Sequence, residues 1–142
     1  MTTTVAQSRR QAKQLAGSYG ATSVSTASPG VLVLMLFDGA LRFLTRAEHG
    51  FQIDSLARRN EEIHNNIVRA QSILRELQAA LDMEVDGDFP KQMYALYEFM
   101  ISQLLEANVK KEVGPLKSVY PLLLDLRSAW EEMLRKSNPV AT

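Results

Sequence analysis

An all-α, antiparallel, up-down-up-down four-helix bundle is the fold class this sequence predicts, on three observations. Four segments space their apolar residues by threes and fours, Gly, Pro, Asp or Ser bounds them, and no strand-period alternation competes. Short connections between successive helices require antiparallel neighbours. At 142 residues and 46% hydrophobic, the chain is expected to form one domain with a single core. Residues 1–27 read as a flexible N-terminal arm or lid, in which a weak helical patch from Val5 to Ala16 can form a short cap helix. Residues 28–136 read as the helical bundle and 137–142 as a disordered tail.

The first helix is predicted to start at Ser28-Pro29. The Ser hydroxyl can cap free N–H groups, and Pro fits the first position, where its missing N–H costs nothing. Every residue from Val31 to Phe37 is apolar, so this helix is expected to be covered on several sides as the central element. Its main stripe is read as Leu32, Met35, Leu36, Phe43, Leu44 and Ala47, with Gly50 as a left-handed stop. A second helix is expected from Asp54 as N-cap, carrying Leu56, Ile63, Ile67, Ala70, Leu74, Leu77 and Leu81 as a narrow seam. Arg58, Arg59, Glu61, Glu62, Arg75 and Glu76 are placed outside it.

Asp82 to Asp88 reads as a turn, after which Asp88 and Pro90 restart a helix. This third helix carries two apolar lines: Met93, Leu96, Met100, Leu104 and Ala107, then Tyr94, Tyr97, Ile101 and Leu105. One is expected to face the core and the other a partner. Asn108 to Glu112 is a polar break. The last helix is anchored by Leu116, Val119, Leu123, Leu126, Trp130 and Met133, with Pro115 in its first turn and a kink expected near Tyr120 from Pro121.

Composition narrows the function. Lys+Arg and Asp+Glu are balanced at 16 each, and no basic stripe interleaved with aromatics occurs, so nucleic acid is not an expected partner. The absence of cysteine fits a reducing compartment. The first residues lack a signal-peptide core and the apolar run is too short for a bilayer, so a cytoplasmic protein without membrane insertion is expected. Glu61-Glu-Ile-His64 resembles half of a di-metal site, but the other histidine, His49, has Arg46 three residues before it. Neither a metal nor any other cofactor is expected. Asp38, polar within the apolar helix, is read as bonding a neighbouring segment or reaching the bundle end, and with no nucleophile–base arrangement or phosphate loop the chain is not expected to be an enzyme.

What stands out is surplus apolar helix surface on the first and third helices, beside an arm carrying Tyr19 and Val24. Such a surface suits a partner's amphipathic helices, with anchors spaced by three and four and adaptable Met side chains. From about residue 19 to residue 134 the chain resembles the FliS family of flagellar export chaperones. The resemblance rests on Tyr19 followed by Ser25-Thr-Ala-Ser-Pro29, on Leu32-Val-Leu-Met-Leu-Phe-Asp-Gly-Ala40, on Leu96-Tyr-Glu-Phe-Met100, on Leu104-Leu-Glu-Ala-Asn108, and on Leu126 with Trp130.

The resemblance implies a cytosolic chaperone that binds the disordered C-terminal segment of flagellin, prevents premature polymerisation and delivers it to a component of the flagellar type III export gate. The implied partner-binding residues are Tyr19, Val24, Thr26, Ala27, Ser28 and Pro29 on the arm and helix start, and Leu32, Met35 and Leu36 on the first helix. On the third they are Tyr94, Tyr97, Ile101, Leu104, Leu105 and Asn108. Asn108 reads equally as a helix cap, and Trp130 as a core anchor. An anti-sigma factor or another flagellin-binding regulator, and a homodimer, are further partners the resemblance allows. Ser102-Gln103 departs from the basic pair that relatives often carry. The competing reading is a self-associating regulatory or adaptor bundle with no flagellin role.

Overall fold

The computed structural model describes residues 28–137, and these form four helices with no strand among them. They are α1 (Pro29–Gly50), α2 (Leu56–Ala79), α3 (Phe89–Lys110) and α4 (Val113–Ser137). Each packs on its neighbours in order and α1 closes the ring against α4. As numbers rise along α2 they fall along the α3 residues it meets, from His64 with Asn108 to Gln78 with Tyr94, so these helices are antiparallel. Asp38 with Arg127 and Glu48 with Lys117 show the same for α1 and α4.

Local signals set the helix starts. Ser28 is extended and its Oγ accepts from the Val31 amide at 3.3 Å, with Pro29 in the first turn, as expected. At α2 the cap is Ser55, whose Oγ accepts from the Arg58 amide, so the Asp54 reading is off by one residue. Leu56 then opens α2, ahead of the first full core layer, and is 61% exposed instead of joining the seam. Asp88 occupies the α3 cap position without a side-chain cap bond. Helix α3 ends in Lys111, a left-handed residue (φ 52°) whose N–H donates to the Ala107 carbonyl; Asn108 is not the cap. Pro115 falls in the first turn of α4, whose helical run continues through Pro121. Ser137 belongs to α4, while the remaining tail and the arm through residue 27 lie outside the described residues.

The inward stripe of α1 is Val33, Phe37, Ala40, Leu44 and Ala47; Leu44 and Ala47 are as expected, and the first half of the helix is turned away from the expected stripe. Met35 is 56% exposed, and Leu32, Leu36 and Phe43 are half-buried. An all-apolar run cannot declare its inner face by periodicity; the small residues decide it. A Cβ at Gly39 would stand 3.3 Å from Ile73 Cδ1, and one at Gly50 would stand 3.2 Å from Ile63 Cγ1 and 3.3 Å from its backbone nitrogen. Gly50 is therefore a buried, helical point of close approach to α2 and not a left-handed stop. Nor is α1 central, since it packs on α2 and α4 as one member of the ring.

Ile63, Ile67, Ala70, Leu74 and Leu77 of α2, Met100 and Leu104 of α3, and Leu116, Val119 and Leu123 of α4 complete a core with no solvent exposure at these positions. Each large aliphatic side chain so buried contributes about 1.5–3 kcal/mol. Trp130 seals the α1–α4 seam. Its ring is 5% exposed, lies 6.4 Å from Phe37 and donates Nε1–H to the Gly30 carbonyl at 2.9 Å, as a core anchor should.

Candidate partner-binding surfaces

Between α2 and α3 runs an open groove of about 660 Å³, with Val68 and Leu105 on its walls and Ile101 at its floor. A ladder of polar side chains joins the two walls. Asn108 Nδ2 donates to His64 Nδ1 at 3.0 Å, and Gln71 Nε2 donates to the Ile101 carbonyl at 3.2 Å. Further along, Arg75 Nη1 donates to Glu98 Oε1 at 3.0 Å and to Gln78 Oε1 at 2.8 Å, while Gln78 Nε2 donates to the Tyr94 carbonyl at 3.1 Å. The bond from Arg75 holds the Glu98 carboxyl below the usual carboxylate range, and Glu98 in turn raises Arg75. At the α3 end, Asn108 Oδ1 also accepts from Lys111 Nζ, whose pKa is lowered by partial burial. Asn108 thus ties α2 to the residue that terminates α3.

Between α1 and α4 lies a second groove of about 580 Å³. Arg127 Nε donates to Asp38 Oδ1 at 2.8 Å, and its Nη1 lies 3.1 Å from Glu131, so Asp38 bonds a neighbouring helix as expected. Asp38, then Glu131, raises the Arg127 pKa further. Leu124 is 41% exposed here and Tyr120 is half-buried. On the ridge of α1, Phe43 carries two cations: Arg46 and Arg69 each place the guanidinium carbon 5.6 Å from its ring centroid.

The expected site residues are distributed unevenly. Ser28 is exposed and occupied in capping, Pro29 is half-buried, and Met35 stands out from α1 with Val31 one turn before it. On α3 the line assigned to a partner splits. Tyr94 and Leu105 are exposed at 42% and 54%, whereas Tyr97 and Ile101 are buried core residues, and Leu104 of the other line is wholly internal. The physical reason is the width of the band: α3 faces both α2 and α4, and its inward arc spans parts of both lines. Tyr19, Val24, Thr26 and Ala27 lie outside the described residues.

The α2 wall escaped the sequence reading, which left Arg75 among the outer charges and did not single out Val68, Gln71 or Gln78. A signal for it exists. His64, Val68, Gln71, Arg75 and Gln78 each follow by one position a residue of the apolar seam Ile63, Ile67, Ala70, Leu74 and Leu77, so they share the flank of that seam.

Among the described residues no group of three or more His, Asp or Glu side chains is placed to hold a metal, and no helix is long and apolar enough to cross a membrane. Residues 11–137 match the family model described as "Flagellar protein FliS". A protein of Bacillus subtilis (strain 168) named flagellar secretion chaperone FliS is 35% identical over 118 residues, covering 83% of this chain and 84% of its own. Proteins of the same name from Salmonella typhimurium and Vibrio cholerae are 32% and 31% identical. The first covers 82% of this chain and 84% of its own, the second 78% of each. The match spans the whole described bundle, including both grooves, and the chain belongs to the FliS family of flagellar proteins.

Proposed function

We propose that this protein is a cytoplasmic flagellar secretion chaperone. It takes up the disordered C-terminal segment of flagellin, withholds that segment from polymerisation and presents the complex to the export gate. The observation that carries the reading is the α2–α3 groove, where exposed Leu105 and Val68 line a track whose walls are pinned by the polar ladder, with exposed Tyr94 further along α3. Folding a disordered segment onto a receptor costs about 2–5 kcal/mol in ordering, so the receptor gains most by being preformed. A groove latched by side-chain bonds satisfies that condition, because its walls need not be ordered when the partner arrives.

In this reading Leu105 and Tyr94 touch the partner on one face and Met35, Leu32 and Leu36 on another. Tyr97, Ile101 and Leu104 support the track from beneath. Ser28 and Pro29 set where the arm joins α1, and Tyr19, Val24, Thr26 and Ala27 belong to a lid that the partner displaces. Displacement lowers apparent affinity by the open fraction, so removing residues 1–24 should tighten binding or leave it unchanged.

Calorimetric titration with the C-terminal segment of the cognate flagellin, with circular dichroism before and after mixing, tests the proposal. One-to-one binding, a negative heat-capacity change and a gain in helix are expected. Leu105→Asp should weaken binding about tenfold to a hundredfold, the equivalent of losing one buried aliphatic anchor, without loss of helix. No heat and no added helix with folded protein would reject the reading.

A further inference from the structure

The charges of the α1–α4 groove are unevenly answered. Arg127 on the α4 wall is held by Asp38 and Glu131, whereas Arg42 and Arg46 on the α1 wall have no carboxylate within ion-pair distance among the described residues. Arg69, across the α1 ridge on α2, is likewise unpaired. The chain as a whole carries a formal net charge of zero, so this positive excess is local.

Two of these guanidiniums are also held in place. Arg46 and Arg69 pack on the same Phe43 ring, and rotamer freedom given up to that ring is not lost again when an anion binds. Arg42 and Arg46 are one helical turn apart, the spacing at which a helix lying along the groove would present successive carboxylates. Leu124 and Tyr120 supply an apolar strip on the facing wall. Cations at turn spacing beside an apolar strip complement an amphipathic helix with carboxylates on one flank and aliphatic anchors on the other. A basic segment would meet like charge, and a purely apolar one would desolvate guanidiniums without pairing them.

We infer that the partner segment seated in the α1–α4 groove is acidic, with carboxylates facing Arg42 and Arg46. This rests on the chaperone reading and assigns part of the flagellin C-terminal segment to this groove by charge. The α2–α3 groove, whose Arg75 is already paired with Glu98, holds its share of the partner by apolar contact.

The test is titration of the full chain with the cognate flagellin C-terminal segment at about 50, 150 and 400 mM salt, across which the Debye length falls from over 10 Å to about 5 Å. Arg42→Glu with Arg46→Glu should weaken binding about tenfold or more at low salt and invert the salt dependence, since salt then screens a repulsion. Arg42→Gln with Arg46→Gln should fall between, and helix content read by circular dichroism confirms that both variants fold. Lys91→Glu, an exposed position at the start of α3, should leave affinity within about twofold. Reversing the segment's own carboxylates should restore binding to the doubly reversed protein. Affinity of that protein within about twofold of the parent overturns the inference alone. Failure of the segment to bind the unaltered protein overturns the chaperone reading itself.

Discussion

Along the α2–α3 groove His64, Gln71, Arg75 and Gln78 each find a group on the opposite wall, whereas along the α1–α4 groove Asp38, Arg127 and Glu131 satisfy one another and leave Arg42 and Arg46 facing solvent. The two clefts differ little in size, so the difference lies in what their walls still have to offer. In the first, the charged and amide side chains are used up in joining the two walls, and what remains exposed is uncharged: Val68 and Leu105 with the hydroxyls of Ser72 and Ser102. In the second, Trp130 packs on Phe37 and bonds the Gly30 carbonyl across the seam, and charge is left over for something else. A bundle of four similar helices thus presents two chemically distinct tracks because its amide and charged side chains are spent unequally.

The largest effect is expected at Trp130, on the α1–α4 side. Trp130→Ala removes the aromatic seal and the bond to the Gly30 carbonyl and should cost about 3–5 kcal/mol in urea unfolding. Backbone hydrogen exchange should rise first where α1 meets α4, because the α2–α3 ladder is untouched. Uniform loosening of all four helices would show instead that the grooves are not separately latched.

A smaller effect is expected at Gln78, which is 4% exposed and bonds both Arg75 and the Tyr94 carbonyl. Gln78→Ala should cost about 1–3 kcal/mol through unmade buried hydrogen bonds. It should also weaken partner binding at the α2–α3 groove while leaving the salt dependence of binding intact. A change in stability without any change in affinity would mean that the ladder does not shape the track.

The smallest expected effect is the acid response of the Arg75–Glu98 pair. Glu98 is held below its ordinary value chiefly by the hydrogen bond from Arg75. Its contribution is therefore present above the unfolded carboxyl pKa and is lost as pH falls through the lower folded value. Glu98→Gln should remove that part of the acid-side slope in unfolding measured between about pH 5 and pH 2, the range spanning ordinary and depressed carboxyl values. Both groups are well exposed, so the change should be slight, and an identical slope in both proteins would show that the pair adds nothing to folding.

Much of the fold was legible in the residues. Ser28-Pro29 announces α1, the three-and-four spacing from Ile63 to Leu77 announces α2, and Asp88 to Pro90 and Pro115 mark where α3 and α4 begin. Less of the candidate surfaces was legible. Tyr94 and Leu105 were singled out, but their line on α3 also holds Tyr97 and Ile101, which the bundle buries. Val68, Gln71 and Gln78 were passed over because an amide beside an apolar seam looks like any solvated side chain until the helix across from it is in place.

By itself the sequence determined the number of helices among the described residues, their antiparallel order and the chemistry of the seams, because caps, prolines and apolar period act within a few residues of chain. Only the tertiary structure decided which way α1 is turned, that Gly50 is a packing contact instead of a stop, which half of an α3 line is covered, and where Arg75 spends its charge. Each of these depends on a residue distant in the chain, Ile63 for Gly50 and Glu98 for Arg75. Burial and pairing belong to two surfaces at once, and a local pattern describes only one of them.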